Sequence, residues 1–396
     1  MKYCSVCNNK NLHKFLSFGN QPLANDYKSV KNYKKFPLEL CFCKRCRNCQ
    51  LSYFIDPKRL FSNYYYMSSV SKTTRQHIEK SIYKFSRKFS LSKKKSLIID
   101  VGSNDGIALI ALRRIGFKKI LGIEPAKNLC ALSKKKGLKV INSFLDKKLS
   151  NKMWNTADLV LASNVFAHTN NIHALFRNIM EITKNEGMII IEVQYLYFMI
   201  KNLSFDNIYH EHFHYWTLTS LSNFIKNFNA TIVDAEILKT HGGSLRIYIK
   251  KGIQKSSKNY YKLINSESNL GLNKLSTYKI FSRNVHNKLL NIEKNLKMLK
   301  MKYSKIIGYG APAKATLLIN KLRLENFFEF IVDNNKLKQN KFVPGTSLVI
   351  KSKKFLLRIK NILIIVFAWN YFKEINNSIK KPSHKLISIS SLQNYN

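Results

Sequence analysis

The chain has 396 residues, enough for two or three domains of the usual size of about 150 residues. Hydrophobic residues at 45%, charged residues at 23%, 14 Gly and 7 Pro exclude disordered, fibrous and collagen-like classes. Lys and Arg outnumber Asp and Glu 68 to 22, a formal net charge of +46, which raises nucleic acid or an anionic surface as partners. The excess is nevertheless spread along the whole chain in short runs such as Lys93–Lys95 and Lys134–Lys136, beside abundant Asn, Ile, Phe and Tyr. It reads as codon composition, and a nucleic-acid partner is not expected. No apolar run approaches the roughly 18 residues of a membrane span. The N-terminal Met1-Lys2-Tyr3-Cys4 shows no apolar signal core, so the expectation is a cytoplasmic protein without a membrane partner.

Six of the seven cysteines fall in the first fifty residues, at 4, 7, 41, 43, 46 and 49. In a reducing compartment, clustered thiols read as metal ligands. Cys4-x-x-Cys7 followed by a second C-x-x-C provides two tight knuckles, which place four thiolates at the tetrahedral corners that structural Zn²⁺ prefers. The second knuckle is ambiguous, since Cys43/Cys46 and Cys46/Cys49 share the spacing. A four-thiolate site is coordinatively closed, so it organises its lobe and performs no chemistry.

A helical bridge, Thr73–Phe89, leads into apolar runs alternating with helical patterns: Ser96–Val101, Ile120–Ile123, Ala157–Ala162 and Met188–Val193. Strands separated by helices at this spacing predict parallel βαβ units in a doubly wound sheet. The first strand ends in Gly102-Ser103-Asn104-Asp105-Gly106, where the glycines admit a ligand close to the backbone. This is not the G-x-G-x-x-G of dinucleotide folds. The second strand delivers Glu124, followed by Pro125, at the position where an acid accepts from both ribose hydroxyls. With Asn164 after a later strand, the set fits S-adenosylmethionine better than NAD.

His168, His173, His210, His212 and His214 cluster, and Tyr209-His210-Glu211-His212-Phe213-His214-Tyr215 is the dense stretch. The helical H-E-x-x-H spacing of zinc hydrolases is absent. The cluster therefore points to acid–base chemistry, with imidazole titrating near neutrality and tyrosine donating to an oxyanion. His241-Gly242-Gly243-Ser244-Leu245-Arg246 adds a glycine turn with polar groups suited to an oxygenated ligand. A polar stretch of helical period, about 254–302, precedes a second strand–loop–helix restart at Tyr303–Gly308. Further strands are predicted at Phe327–Val332 and Asn361–Phe367. Gly308-Tyr309-Gly310-Ala311-Pro312-Ala313 matches G-x-G-x-x-A. Lys314 and the helix start favour a diphosphate, and Asp333 closes the next strand at ribose-binding distance.

These motifs together resemble the sugar C-methyltransferases that act on nucleotide-linked keto-deoxysugars, over essentially the whole chain. The matching segments are Cys4/Cys7, Gln21-Pro22-Leu23-Ala24-Asn25, Cys43/Cys46, Tyr64-Tyr65-Tyr66-Met67-Ser68-Ser69, the turn at 103–106, Asn164-Val165-x-Ala167-His168, Tyr209–His212, 241–246, 309–314, 344–345 and 369–370. Asp100 stands where the family often has Glu, and Asn48-Cys49 replaces two apolar residues.

The resemblance implies an α/β fold in three parts. A zinc-binding domain spans 1–60, with Cys4, Cys7, Cys43 and Cys46 as ligands. A Rossmann-like class I methyltransferase domain spans 61–252, and a second Rossmann-like domain holding the sugar nucleotide spans 253–396. It also implies His212 as the base that forms an enolate, with Tyr209, Glu211 and the Tyr64/Tyr66 pair orienting the sugar or stabilising the enolate oxygen; His241 is a further candidate. S-adenosylmethionine is expected against Gly102–Gly106, Glu124, Pro125, Asn164 and His168. The sugar nucleotide, thymidine-diphosphate-linked, is expected near Ser244, Arg246, Tyr309, Lys314 and Asp333. The rival that would use the basic surface is a zinc-containing RNA or DNA methyltransferase, with steeply salt-dependent affinity.

Overall fold

The computed structural model describes residues 3–359, 361–379 and 383–394, without the side chains of 241, 357, 358, 393 and 394. Three sheets organise the described residues. The first joins β1 (Leu12–Pro22), β2 (Lys35–Cys43) and β3 (Cys49–Leu51) in antiparallel order. Its fourth strand, β9 (His214–Tyr215), comes from the middle of the chain, pairing Cys49 with Tyr215 and Gln50 with His214. The N-terminal lobe is therefore completed by the histidine-rich segment itself.

The second sheet contains β4 (Leu97–Val101), β5 (Lys119–Ile123), β6 (Val140–Ile141), β7 (Ala157–Ser163), β8 (Thr183–Gln194), β10 (Ala230–Leu238) and β11 (Ser244–Lys251). Their spatial order is β10-β11-β8-β7-β4-β5-β6. The runs Leu-Ile-Ile at 97–99 and Met188–Val193 are almost continuously apolar because helices cover both faces of the parallel strands. From β4 the chain winds outward to β6, then returns to β7 on the other side. The crevice at that reversal, beyond the strand carboxyl ends, is where open α/β sheets bind ligands. The antiparallel β10–β11 hairpin closes one edge.

The third sheet, β14-β13-β12-β15-β16, is wholly parallel and comprises β12 (Ile306–Tyr309), β13 (Ile331–Val332), β14 (Ile350–Lys351), β15 (Ile362–Val366) and β16 (His384–Ser388). The strand expected over Phe327–Val332 is shorter because Glu325–Phe327 turns as a 3₁₀ helix, with Glu325 accepting from the Ser347 amide at 2.6 Å. The polar stretch becomes two helices, Lys258–Asn269 and Leu275–Lys302, separated at Gly271 (φ 73°). The longer one buries Tyr278, Phe281, Val285, Leu289, Ile292, Leu296 and Leu299, a three-and-four spacing along one face. Each such burial contributes about 1.5–3 kcal/mol. One continuous core joins this face to Phe15 and Phe42 of the N-terminal lobe and to Ile306, Ile331 and Leu363 of the third sheet. Among the described residues, no helix is long and apolar enough to cross a membrane.

Candidate active site

The four cysteines Cys4, Cys7, Cys43 and Cys46 converge, with their sulfurs all within 4.8 Å of one another. Cys4 and Cys46 lie 3.5 Å apart, as do Cys7 and Cys43; a tetrahedral zinc with Zn–S bonds near 2.3 Å asks for sulfurs about 3.8 Å apart. Both knuckles are built alike. The Asn8 amide returns to the Cys4 carbonyl at 2.8 Å and the Arg47 amide to the Cys43 carbonyl at 2.9 Å. Asn8 and Arg47 both adopt the left-handed conformation, at φ 54° and 64°. The crowding of the sulfurs holds the Cys43 thiol far below the usual range and pushes that of Cys4 up. Four thiols so close cannot all ionise without a cation among them, so the donor set fits Zn²⁺. Cys49, the alternative ligand, is buried within β3. His173 braces the lobe by hydrogen bonding through Nε2 to the Val6 carbonyl at 2.9 Å.

A single cavity of about 1140 Å³ runs from the carboxyl end of β4 to the third sheet. At its first end, Gly102 (φ 70°) turns the chain, and a Cβ there would stand 2.6 Å from Val165 Cγ2. Glu124 is buried, accepting from the Asn104 amide at 2.7 Å and the Ala126 amide at 2.8 Å. Each carboxylate oxygen retains a second lone pair for a ribose hydroxyl. Burial raises its pKa, and burial with the nearby Glu124 charge pushes Asp100 up to about 7. Ser103 Oγ is buried at the cavity wall without a hydrogen-bond partner, a further feature that suits a polar ligand. Pro125 and Asn164 also line this end. Asp105 and Gly106 do not: Asp105 lies beneath the loop, 3.5 Å from Lys136 Nζ, and Gly106 (φ 80°) opens the helix Ile107–Arg114 against Leu138. The residues present fit S-adenosylmethionine.

The histidine-rich stretch divides in space. His210 bonds to the Phe36 carbonyl at 3.2 Å and His214 to Asn48 at 3.2 Å, both buried in the N-terminal lobe. Burial pushes them down to about 4 and about 3, so both stay neutral and structural. His212 turns the other way and lines the cavity. Its Nδ1–H donates to the Asn207 carbonyl at 2.9 Å, which makes Nε2 the basic nitrogen of the neutral ring. The Tyr209 ring lies 4.1 Å from it, centroid to centroid, and the His168 ring 5.0 Å. His168 donates from Nδ1 to the Glu211 carbonyl at 2.8 Å, and burial lowers it to about 4. Tyr64 and Tyr66 face the same space, their rings 6.5 Å apart. Glu211 sits behind them, its Oε2 accepting from the Tyr64 hydroxyl at 2.7 Å and its Oε1 from Asn25 Nδ2 at 2.6 Å. Burial raises its pKa and keeps both tyrosines beside it, Tyr64 and Tyr209, protonated. The side chain of His241 lies outside the described residues.

At the far end, Gly310 (φ 87°) leads into the helix Ala313–Lys321. Lys314 is enclosed there, its ammonium 4.2 Å over the Trp369 ring and 3.6 Å from Asp206, with no hydrogen bond of its own. Asp333 borders the cavity, but its two oxygens accept from the Ala311 and Asn335 amides, both at 2.7 Å, fixing the loop. Lys338, which the sequence pattern did not single out, adds a second buried ammonium that donates to the Ala311 carbonyl at 2.8 Å. No short motif marks it; a long loop brings it in.

Three expected ligand contacts are placed otherwise. Tyr309 points into the core of the third sheet, and buried Ser244 bonds to Thr240. Neither lines the cavity. Arg246 touches the cavity wall but is consumed by Glu192 and Glu236, each at 2.9 Å, and by Ser81 at 2.5 Å. His77 caps the same Glu192 at 3.0 Å. Alternation along β11 turns this arginine under the helix Lys72–Lys88, where buried charge requires paired partners.

A closed cluster of four thiols in the first lobe, and one cavity that joins the glycine turn after β4 and Glu124 to His212, define the class. Three family descriptions tile the chain in that order: a zinc-binding domain over residues 4–61, a methyltransferase domain over 74–235 and a C-methyltransferase C-terminal domain over 239–385. The chain is an S-adenosylmethionine-dependent C-methyltransferase with a structural zinc lobe. It is similar to the C-methyltransferase NovU of Streptomyces niveus, 27% identical over 388 residues, which cover 96% of this chain and 92% of the relative. Solved structures match about half of it. The PH0226 protein of Pyrococcus horikoshii OT3 gives 15% identity and a TM-score of 0.41, covering 50% of this chain and 100% of that one. The magnesium protoporphyrin IX methyltransferase ChlM of Synechocystis PCC 6803 gives 11% and 0.35, covering 45% and 79%.

Proposed function

We propose that this enzyme methylates a ring carbon beside the ketone of a nucleotide-linked 4-keto-deoxysugar, carried on thymidine diphosphate, with His212 as the general base. The observation that carries the reading is that His212, with its basic nitrogen set by the Asn207 carbonyl, shares one cavity with the Glu124 loop and two buried ammonium groups. Carbon is a poor nucleophile until a neighbouring ketone acidifies its proton. His212 Nε2 removes that proton, and the imidazolium keeps its Nδ1–H on Asn207. Tyr209, held protonated by burial, donates to the enolate oxygen. Tyr64, its hydroxyl proton committed to Glu211, accepts from a sugar hydroxyl and orients the ring. Bound S-adenosylmethionine supplies an electrophilic methyl group. Lys314, Lys338 and the start of the helix Ala313–Lys321 hold the diphosphate.

The test supplies thymidine-diphosphate-linked 4-keto-6-deoxyglucose with methyl-labelled S-adenosylmethionine, and RNA in a parallel reaction. The expected product carries the label on a ring carbon. Label in RNA and none in the sugar would refute the reading.

A further inference from the structure

The Gln21–Asn25 segment leaves the zinc lobe and reaches the cavity wall. Tyr27 OH donates to the Ala311 carbonyl at 2.5 Å, and Thr316 Oγ1 to the Ala24 carbonyl at 3.1 Å. The segment is thus pinned on the third-sheet domain on one side. On the other, Asn25 Nδ2 donates to Glu211 Oε1 at 2.6 Å, while Tyr64 OH donates to Oε2 of the same carboxylate at 2.7 Å. Asn25 and Tyr64 line the cavity, and Glu211 stands behind them. A buried carboxylate can rotate about its last torsion unless both oxygens are held. With Oε1 fixed by Asn25, Oε2 must face Tyr64, and the Tyr64 hydroxyl must spend its proton there and turn its lone pairs to the cavity.

We infer that Asn25, supplied by the zinc lobe, is a positioning residue for the methyl transfer: through Glu211 it sets the hydrogen-bond polarity of Tyr64. The inference rests on the role given to Tyr64 above. It also gives the zinc lobe a direct part in the active site, although its metal is coordinatively closed.

The groups facing Glu211 are Asn25, Tyr64, Tyr27, Tyr209 and Lys338. Asn25→Asp keeps the shape and sets a second carboxylate against the first. The two then share one proton, as close carboxylates do. When that proton is bound, an O–H···O contact replaces the amide; when it leaves, Glu211 is repelled and Tyr64 is released. Glu211→Gln alone must turn its amide donor toward either Asn25 or Tyr64, which reverses one bond. In Asn25→Asp/Glu211→Gln the new amide donates to the new carboxylate, and its oxygen again accepts from Tyr64.

The experiment measures kcat and KM from about pH 6 to pH 9 for wild type, the two single variants, the double variant and Tyr64→Phe. The probes are thymidine-diphosphate-linked 4-keto-6-deoxyglucose and S-adenosylmethionine, with zinc content and S-adenosylmethionine affinity as controls of folding. We expect Asn25→Asp to lose about tenfold or more in kcat at pH 8, relative to wild type, and to recover as the pH falls. The double variant should return to within about threefold of wild type, with zinc and cofactor binding unchanged throughout. Wild-type kcat for Asn25→Asp at every pH, or a double variant no better than the worse single, overturns the inference while Tyr64→Phe remains impaired. Wild-type turnover in Tyr64→Phe instead removes the reading of Tyr64, and the inference with it.

Discussion

Arg246 lies at the cavity wall, yet its partners assign it to the fold. Replacing it by Met keeps the aliphatic bulk over Phe85, whose ring the guanidinium faces at 4.8 Å. The change leaves two carboxylates, Glu192 and Glu236, without their shared cation. Removing one partner of a buried pair costs about 3–5 kcal/mol. Glu192 retains His77, and Glu236, with its side chain 21% exposed, retains Lys84 at 2.5 Å. The lower end, about 3 kcal/mol, therefore applies, which lowers the melting temperature of a domain of this size by roughly 6–12 °C. The pairing also fixes a pH dependence. Despite its burial, Lys84, Tyr248 and Arg246 hold Glu236 down at about 2, from an ordinary 4.5. Its contribution is therefore complete above the unfolded value and lost as the pH falls from 4.5 toward 2. The stability gap between wild type and Arg246→Met should narrow over that window. The assay is calorimetry at several pH values alongside steady-state kinetics of the folded fraction. An unchanged melting temperature with a tenfold or larger rise in the sugar-nucleotide KM would refute the structural assignment.

Cys43→Ser should release zinc and loosen the N-terminal lobe, whereas Cys130→Ser should leave the metal content as in wild type; full zinc in a Cys43→Ser/Cys46→Ser variant would contradict the ligand set. Glu124→Ala should weaken S-adenosylmethionine by about 1.5–3 kcal/mol in calorimetric titration, the usual value of a hydrogen bond to a charged group. Gly102→Val should be worse, since φ 70° is strained for a β-branched residue and its Cβ would press within 2.6 Å of Val165 Cγ2. Tighter binding of NAD than of S-adenosylmethionine would overturn the cofactor site.

What the sequence made legible was local. Knuckle spacing marked Cys4 and Cys7, apolar runs located β4, β5, β7 and β8, and the turn after β4 pointed to Glu124 one strand later. Pattern could not show which way each histidine faces. Strand β9 carries His214 into a different sheet, His210 follows the N-terminal lobe, and of these three only His212 turns to the cavity, where it joins His168. Arg246 looked like a ligand contact because its glycine-rich neighbourhood suggested a binding turn. Its partners Glu192 and Glu236 lie on adjoining strands, and such pairing is a tertiary fact. The roles of Asn25 and Asp206 escaped for the same reason, since each meets its partner from a distant part of the chain, and Lys338 is carried in by a long loop that no short motif marks.

In the proposed reaction His212 removes a carbon-bound proton before methyl transfer, and that order can be isolated. Enolate formation does not need the donor's reactive methyl group. The enzyme is therefore incubated in deuterated water with thymidine-diphosphate-linked 4-keto-6-deoxyglucose and S-adenosylhomocysteine, and deuterium at the carbon beside the ketone is followed by NMR. Wild type should wash deuterium in, Tyr209→Phe should do so more slowly, and His212→Ala should lose the exchange by about 10²–10⁴-fold, the usual range for a general base. Exchange at a near wild-type rate in His212→Ala would contradict the account and transfer the proton abstraction to another group of the cavity.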